Sequence, residues 1–297
     1  MDPTAPRRVE HQQTDKGYVP VYTTAVVEQP WESYSADDHA TWRTLFQRQR
    51  ELLVGRACRE FLDAQDAMGM SAQEIPRFEQ LNQALQAATG WTLVGVEGLL
   101  PELDFFDHLA NRRFPVTWWI RRPDQIDYIA EPDMFHDLFG HVPLLMNPVF
   151  ADYMEAYGRG GVKAHALGPD ALQNLTRLYW YTVEFGLINT PEGLRIYGAG
   201  IVSSKGESLH ALESAAPNRI GFDLERIMRT RYRIDTFQKT YFVIDSFEQL
   251  MQATAPDFTP IYAGLADQPH LPAGEVQVTD RVLQEGTGAG WESGGDV

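Results

Sequence analysis

The run PDMFHDLFGHVP, residues 132–143, sets His136 and His141 five positions apart among apolar neighbours. Neutral imidazoles are common transition-metal ligands, so such a pair raises the prospect of metal chemistry. The spacing alone is weak support, because 8 histidines in 297 residues give about 0.2 such pairs by chance. A straight α-helix turns about 100° per residue, so positions i and i+5 point about 140° apart and cannot share an ion without an interruption. Gly140 and Pro143 are residues that could supply one. Two satisfied or surface histidines remain the plain alternative.

A second anomaly is Glu184, embedded in LYWYTVEFGLI. Helical spacing places Trp180 and Ile188 on its stripe, which reads as buried. A carboxylate removed from water needs a cation or metal partner, or else a place at the helix end in solvent. Two imidazoles and one carboxylate make the facial triad of non-haem Fe(II) oxygenases, and the same set serves catalytic zinc, so ligand identity does not select the metal. Other patterns are weaker. YGAGIVSS (197–204) lacks the third glycine of a dinucleotide fingerprint, no P-loop occurs, and Ser203 and Ser204 have no nucleophile-elbow context. Arg121 and Arg122 follow VTWWI and could clamp a carboxylate through a guanidinium fork, or be ordinary surface charges. Phe105 and Phe106 read first as core, although either could offer a flat face to a planar heterocycle.

The elements that must carry these residues are mostly helical. Ser35 and Asp38 resemble a capping box, followed by Trp42, Leu45, Phe46, Leu52 and Leu53 at helical spacing, with a bend expected near Gly55. Pro76 opens a helix through Phe78, Leu81 and Leu85 that Gly90 should end. Pro101, Pro148 and Pro169 open further helices, the last running through DALQNLTRLYWYTVEFGLI. WTLVGV (91–96), VTWWI (116–120) and TYFVI (240–244) are strand-like, the last leading into a helix capped by Ser246 and Gln249, while LRIYGAGIV is strand or irregular. No repeat is present, and scattered strands argue against a parallel doubly wound sheet.

Composition narrows the partners. With 25 basic and 41 acidic residues the formal charge is −16, and no basic patch offsets it, so neither nucleic acid nor an anionic membrane surface is an expected partner. A single cysteine, Cys58, excludes an internal disulfide framework and fits a reducing compartment. Neither a signal peptide nor a membrane-spanning run is visible, so a cytoplasmic protein is expected. Residues 1–30 and 272–297 read as flexible tails around a catalytic part, 31–271.

At EPDMFHDLFGHVPLL, YWYTVEFGLI, IYGAGIVSS and DTFQKTYFVIDSF, in that order and together with HLANRRFPVTWWIR, the chain resembles the tetrahydropterin-dependent aromatic amino acid hydroxylases. The likeness spans roughly residues 30–262 and is nearest to the bacterial, phenylalanine-hydroxylating branch. It implies a single catalytic domain, mainly α with a minor β component (α+β), a helical basket around one mononuclear iron. The iron ligands it implies are His136, His141 and Glu184. Its pterin site falls on Phe105, stacking on the ring, with Gly98, Leu99, Leu100, Asp137 and Tyr179 around it. Its substrate site falls on Arg121 at the amino acid carboxylate, Asp133 supporting it, and Pro132, Trp180 and Ser203 lining the pocket. Trp180 and the apolar Val243 match the phenylalanine branch, where the tyrosine branch tends to carry Phe and Asp. The implied activity is phenylalanine 4-monooxygenation, L-phenylalanine to L-tyrosine with O2, Fe(II) and a tetrahydropterin, the first step of phenylalanine catabolism. Tryptophan or tyrosine hydroxylation, or a zinc hydrolase on the same His2Glu set, are the alternatives; the last lacks a second carboxylate placed like the base of H-E-x-x-H. Without the regulatory domain and heptad-bearing tail of animal relatives, a monomer is expected.

Overall fold

The computed structural model describes residues 12–14, 17–19, 22–127, 129 and 131–291. The expected flexible ends lie partly outside these residues. About half of the chain is helical and 13% is strand, an α+β composition. Two compact units divide it, the first Met1–Arg48 with Asp63–Arg159 and the second Gln49–Leu62 with Gly160–Val297.

In the first unit, the Ser35 hydroxyl accepts from the Asp38 N–H (3.2 Å) while the Asp38 carboxylate accepts from the Ser35 N–H (2.8 Å), and this reciprocal cap starts the helix Ala36–Leu53, whose residues from Gln49 on are assigned to the second unit. That helix stops rather than bends before Gly55, whose φ of +72° is a left-handed conformation that suits glycine. The helix Phe78–Ala88 buries Phe78, Leu81 and Leu85 and ends at Gly90, as the sequence suggests. Strands Thr92–Val96 and Arg113–Thr117 pair in parallel, and Val26–Val27, inside the segment expected to be flexible, adds an antiparallel edge. The second strand begins three residues before VTWWI and ends inside it, because pairing with Thr92–Val96 finishes at Thr117. Pro115 is tolerated there since the strand is at the sheet edge. Trp42, Phe46, Phe135 and Phe139 form the aromatic core beneath the histidine segment. Phe135 stacks on Phe139 (ring centroids 4.8 Å apart), Trp42 meets Phe135 edge-on (5.6 Å) and Phe46 meets Phe139 edge-on (5.4 Å). Truncating one such buried ring typically costs about 3–5 kcal/mol, so this cluster fixes the backbone on which the histidines stand.

The second unit is built on a five-stranded mixed sheet, ordered Val282–Gln284, Asn218–Gly221, Thr240–Ile244, Leu187–Thr190, Gly193–Ile196. Thr240–Ile244 is central and buried at every residue, which explains its unbroken β-rich run. It leads into the helix Phe247–Thr254, capped by the Ser246 hydroxyl, which accepts from the Gln249 N–H at 3.1 Å. Residues 272–291, read from the sequence as a frayed tail, are instead held along the sheet edge. Arg226 forms a buried ion pair with Asp280 (3.0 Å), and the Gly286 N–H donates to the Asn218 side chain (2.8 Å). Glycine there reflects close approach rather than disorder: a Cβ on Gly286 would fall 2.2 Å from the Ala216 carbonyl oxygen. Among the described residues, no helix is long and apolar enough to cross a membrane.

Candidate metal centre

His136 and His141 open and close a single π-helical turn, His136–His141, which continues from a short α turn at Met134. The Val142 N–H reaches the Asp137 carbonyl (3.3 Å), an i→i+5 bond. Gly140 lies inside the turn without interrupting it, and Pro143 comes after it, opening the 3-10 segment Pro143–Met146. A wider coil, not an interruption, brings residues five apart onto one side, and such π turns are frequent at functional sites. The two Nε2 atoms stand 3.1 Å apart with ring planes at 86°. Two nitrogens bound at about 2.1 Å to one ion, at a right angle, are separated by about 3.0 Å. The pair therefore fits two adjacent ligands of one metal. His141 is buried and packs on Phe114 (5.1 Å), whereas His136 is half-buried.

Asp133 fixes this turn and Arg121 together. Fully buried, its carboxylate accepts from Arg121 Nε and Nη2 (both 2.9 Å), the Arg121 N–H (2.9 Å) and the His136 N–H (3.1 Å). Burial pushes its pKa up, but the Arg121 guanidinium and the two backbone N–H groups outweigh that and hold it below the usual carboxylate range. The Arg121 fork uses Nε and Nη2, leaving Nη1 outside the pair. Pro132, just before, accepts at its carbonyl from the Thr117 hydroxyl (3.5 Å).

Asp137, expected beside the pterin, has a carboxylate oxygen grouped with the two imidazole nitrogens, all within 4.8 Å of one another. Its Oδ2 accepts from the Thr117 N–H at 2.7 Å. Burial pushes its pKa up to about 7, against the Thr117 N–H and the nearby His141. Phe105 lies half-buried on the helix Glu102–Ala110, while Phe106 is the core residue of the two, against Tyr157 (5.8 Å). The loop with Gly98, Leu99 and Leu100 is held by the Thr23 N–H on the Leu99 carbonyl (2.9 Å), and a Cβ on Gly98 would meet nothing within 4 Å. Phe105 and the loop residues Gly98, Leu99 and Leu100 are thus each half-buried, and there is space beside the Gly98 backbone.

In the second unit, the helix Pro169–Tyr179 passes into another π turn, Trp180–Glu184, closed by the Phe185 N–H on the Trp180 carbonyl (2.8 Å). The stripe expected to join Trp180, Glu184 and Ile188 does not form, because the helix ends here and Ile188 belongs to the strand Leu187–Thr190. Glu184 is half-buried at the C-terminus of this turn. The glycines of YGAG are explained by close packing on it. A Cβ on Gly198 would sit 2.4 Å from the Glu184 carbonyl oxygen, and one on Gly200 would sit 3.2 Å from a Glu184 carboxylate oxygen. Tyr179 and Trp180 are half-buried, and Ser203 is buried with its hydroxyl donating to the Ala199 carbonyl (2.7 Å). Val243, fully buried, pairs with Leu187 and Gly221 in the central strand. Residues that sequence reasoning missed are Thr117, whose N–H holds Asp137, Gly200 beside Glu184, and Gln238, which binds Trp180. Of these, only the Gly-x-Gly of YGAG carried a visible signal.

The chain belongs to the biopterin-dependent aromatic amino acid hydroxylase family, whose sequence model matches residues 20–259. Phenylalanine-4-hydroxylases from Ralstonia nicotianae and Chromobacterium violaceum are each 66% identical to it, over 91% of this chain and 86% and 90% of their own lengths. The crystal structure of the Chromobacterium violaceum phenylalanine hydroxylase with bound oxidised Fe(III) matches with a TM-score of 0.85, covering 87% of this chain and 93% of that one. Its iron- and phenylalanine-bound form matches at 0.83, with 64% identity over 88% of this chain and 96% of that one.

Proposed function

We propose that this chain is a phenylalanine 4-monooxygenase that uses a tetrahydropterin and O2 at a mononuclear Fe(II) held by His136, His141 and Glu184. The observation that carries the reading is the pair of imidazole nitrogens 3.1 Å apart with perpendicular rings, set by a π turn. Glu184 is preferred to Asp137 as third ligand because the Asp137 carboxylate is already engaged by the Thr117 N–H. Only three protein ligands leave positions open for co-substrate. When bound, ferrous iron and the pterin supply the electrons that split O2 and place one oxygen atom on the substrate ring.

The chain's own residues bind and orient. Phe105 stacks on the pterin, with Gly98, Leu99, Leu100, Asp137 and Tyr179 around it. Arg121, held rigid by Asp133, offers Nη1 to the substrate carboxylate, while Pro132, Trp180, Ser203 and Val243 enclose the phenyl ring. An apolar wall of Trp180 and Val243 suits a bare ring and provides no partner for a phenol, which favours phenylalanine over tyrosine. The catalytic part takes in residues 31–271 together with the edge strands Val26–Val27 and Val282–Gln284, and the setting is a monomer in the cytoplasm. A buried Cys58 thiol, pushed up to about 12 by burial, is compatible with that compartment. The test supplies Fe(II)-loaded protein with phenylalanine, a reduced pterin and oxygen-18 gas. Tyrosine carrying one labelled oxygen is the expected product; unlabelled tyrosine, or hydrolysis without O2 use, refutes the reading.

A further inference from the structure

Trp180 is held at its edge by a polar chain whose residues come from distant parts of the sequence. Its indole N–H donates to the Gln238 side-chain oxygen at 2.9 Å. The Gln238 amide nitrogen donates to the Arg233 carbonyl (3.0 Å), which can only accept, so the carboxamide cannot turn over without losing both bonds. The Gln238 backbone is pinned as well. Its N–H donates to Glu207 Oε1 (3.1 Å), and its carbonyl lies 3.3 Å from His210 Nε2. Glu207 Oε1 also accepts from the Tyr241 hydroxyl. Gln238, Glu207 and Tyr241 are all buried.

The Ser204-x-x-Glu207 spacing would normally let the glutamate cap its own helix. Here Ser204 does cap Glu207 (3.3 Å), but the glutamate side chain is spent on Gln238 and Tyr241. A buried acid that could have been replaced by an apolar residue is thus used to fix one glutamine. The Trp180 ring itself rests on Tyr232, stacked at 4.2 Å and 16°, and on Phe185 at 4.6 Å. Ring stacking allows in-plane sliding and rotation, whereas the N–H bond sets the remaining freedom.

We propose that Gln238 is a positioning residue for the aromatic substrate, holding the Trp180 indole in the one orientation that completes the ring pocket. The inference rests on the reading above that Trp180 lines the phenylalanine site. Gln238 acts through Trp180 and does not touch the substrate, so its loss must be felt only while the indole N–H is present.

The test is calorimetric titration of L-phenylalanine into iron-loaded wild type, Gln238→Met, Trp180→Phe and the double variant, with tyrosine formed per pterin oxidised as a second readout. Gln238→Met should weaken phenylalanine binding about tenfold, equivalent to about 1.4 kcal/mol, lower the tyrosine yield per pterin and leave the pterin KM unchanged. In the Trp180→Phe background the same change should add less than about twofold. If Gln238→Met does not fold, Gln238→Asn, which retracts the oxygen by one methylene, takes its place with the same outcomes. Wild-type affinity in the folded Gln238 variant, or a full additional loss in the double variant, overturns the inference while the proposed function stands. A wild type that binds no phenylalanine overturns both.

Discussion

Removing the Asp133 carboxylate should cost the fold about 3–5 kcal/mol, the range for deleting one partner of a buried ion pair. Arg121 and Asp133 side chains are 7% and 0% exposed, so neither is appreciably screened by solvent. In Asp133→Ala the Arg121 charge stays buried without its anion, and the backbone N–H groups of Arg121 and His136 lose their acceptor. Asp133→Asn retains an acceptor and the shape but leaves the charge unopposed, so its loss should approach that of alanine. At about 2–4 °C per kcal/mol for domains somewhat smaller than this chain, the melting temperature should fall by about 6–20 °C. The assay is urea unfolding of wild type and both variants at several pH values. Because the folded pKa of Asp133 lies below its unfolded value, its contribution is present above the usual carboxylate range and fades as pH falls through the folded value. The gap between wild type and Asp133→Asn should therefore be full at pH 7 and shrink at strongly acid pH. A loss under about 1 kcal/mol at neutral pH, or a gap that widens as pH falls, would refute the reasoning.

Gly200→Ala should weaken iron binding about tenfold and cost about 1–3 kcal/mol of stability, because the new methyl would crowd the Phe185 ring at 2.8 Å and the Glu184 carboxylate at 3.2 Å; iron retained after equilibrium dialysis of the folded variant checks it. Glu207 has a folded pKa of about 7, raised by burial, above its unfolded 4.5, so the folded state binds the extra proton and wild-type stability should decline between those pH values. Glu207→Gln, which keeps an acceptor for Tyr241 and the Gln238 N–H, should abolish that decline; unfolding at pH 5, 6, 7 and 8 measures it.

Much of the scaffold was readable because local chemistry and tertiary structure agree. The Ser35–Asp38 and Ser246–Gln249 caps, the Gly90 stop and the helix starts at Pro101, Pro148 and Pro169 stand where their side chains place them, whereas Pro76 lies just before the helix Phe78–Ala88. The π turns were not readable. Nothing in the 132–143 or 180–184 residues distinguishes i→i+5 winding from α, since that choice is made by the surrounding packing, including Phe135 and Phe139 below the histidines. For the same reason helical spacing suggests a stripe through Trp180, Glu184 and Ile188, although the helix ends before Ile188. The glycine and acid content after residue 272 reads as a frayed tail, yet here it serves close backbone approach and the Arg226–Asp280 pair. The Trp180–Gln238 bond joins residues 58 apart in sequence, and no local pattern announces such a contact.

Iron content per chain, measured after equilibrium dialysis of wild type, Glu184→Ala, His136→Ala and Asp137→Asn, tests the proposed ligand set most directly. One iron in wild type and in Asp137→Asn, with near-complete loss in Glu184→Ala and His136→Ala at intact fold, is the predicted result. Full iron in Glu184→Ala together with loss in Asp137→Asn would place the third ligand on the histidine turn itself and contradict the account.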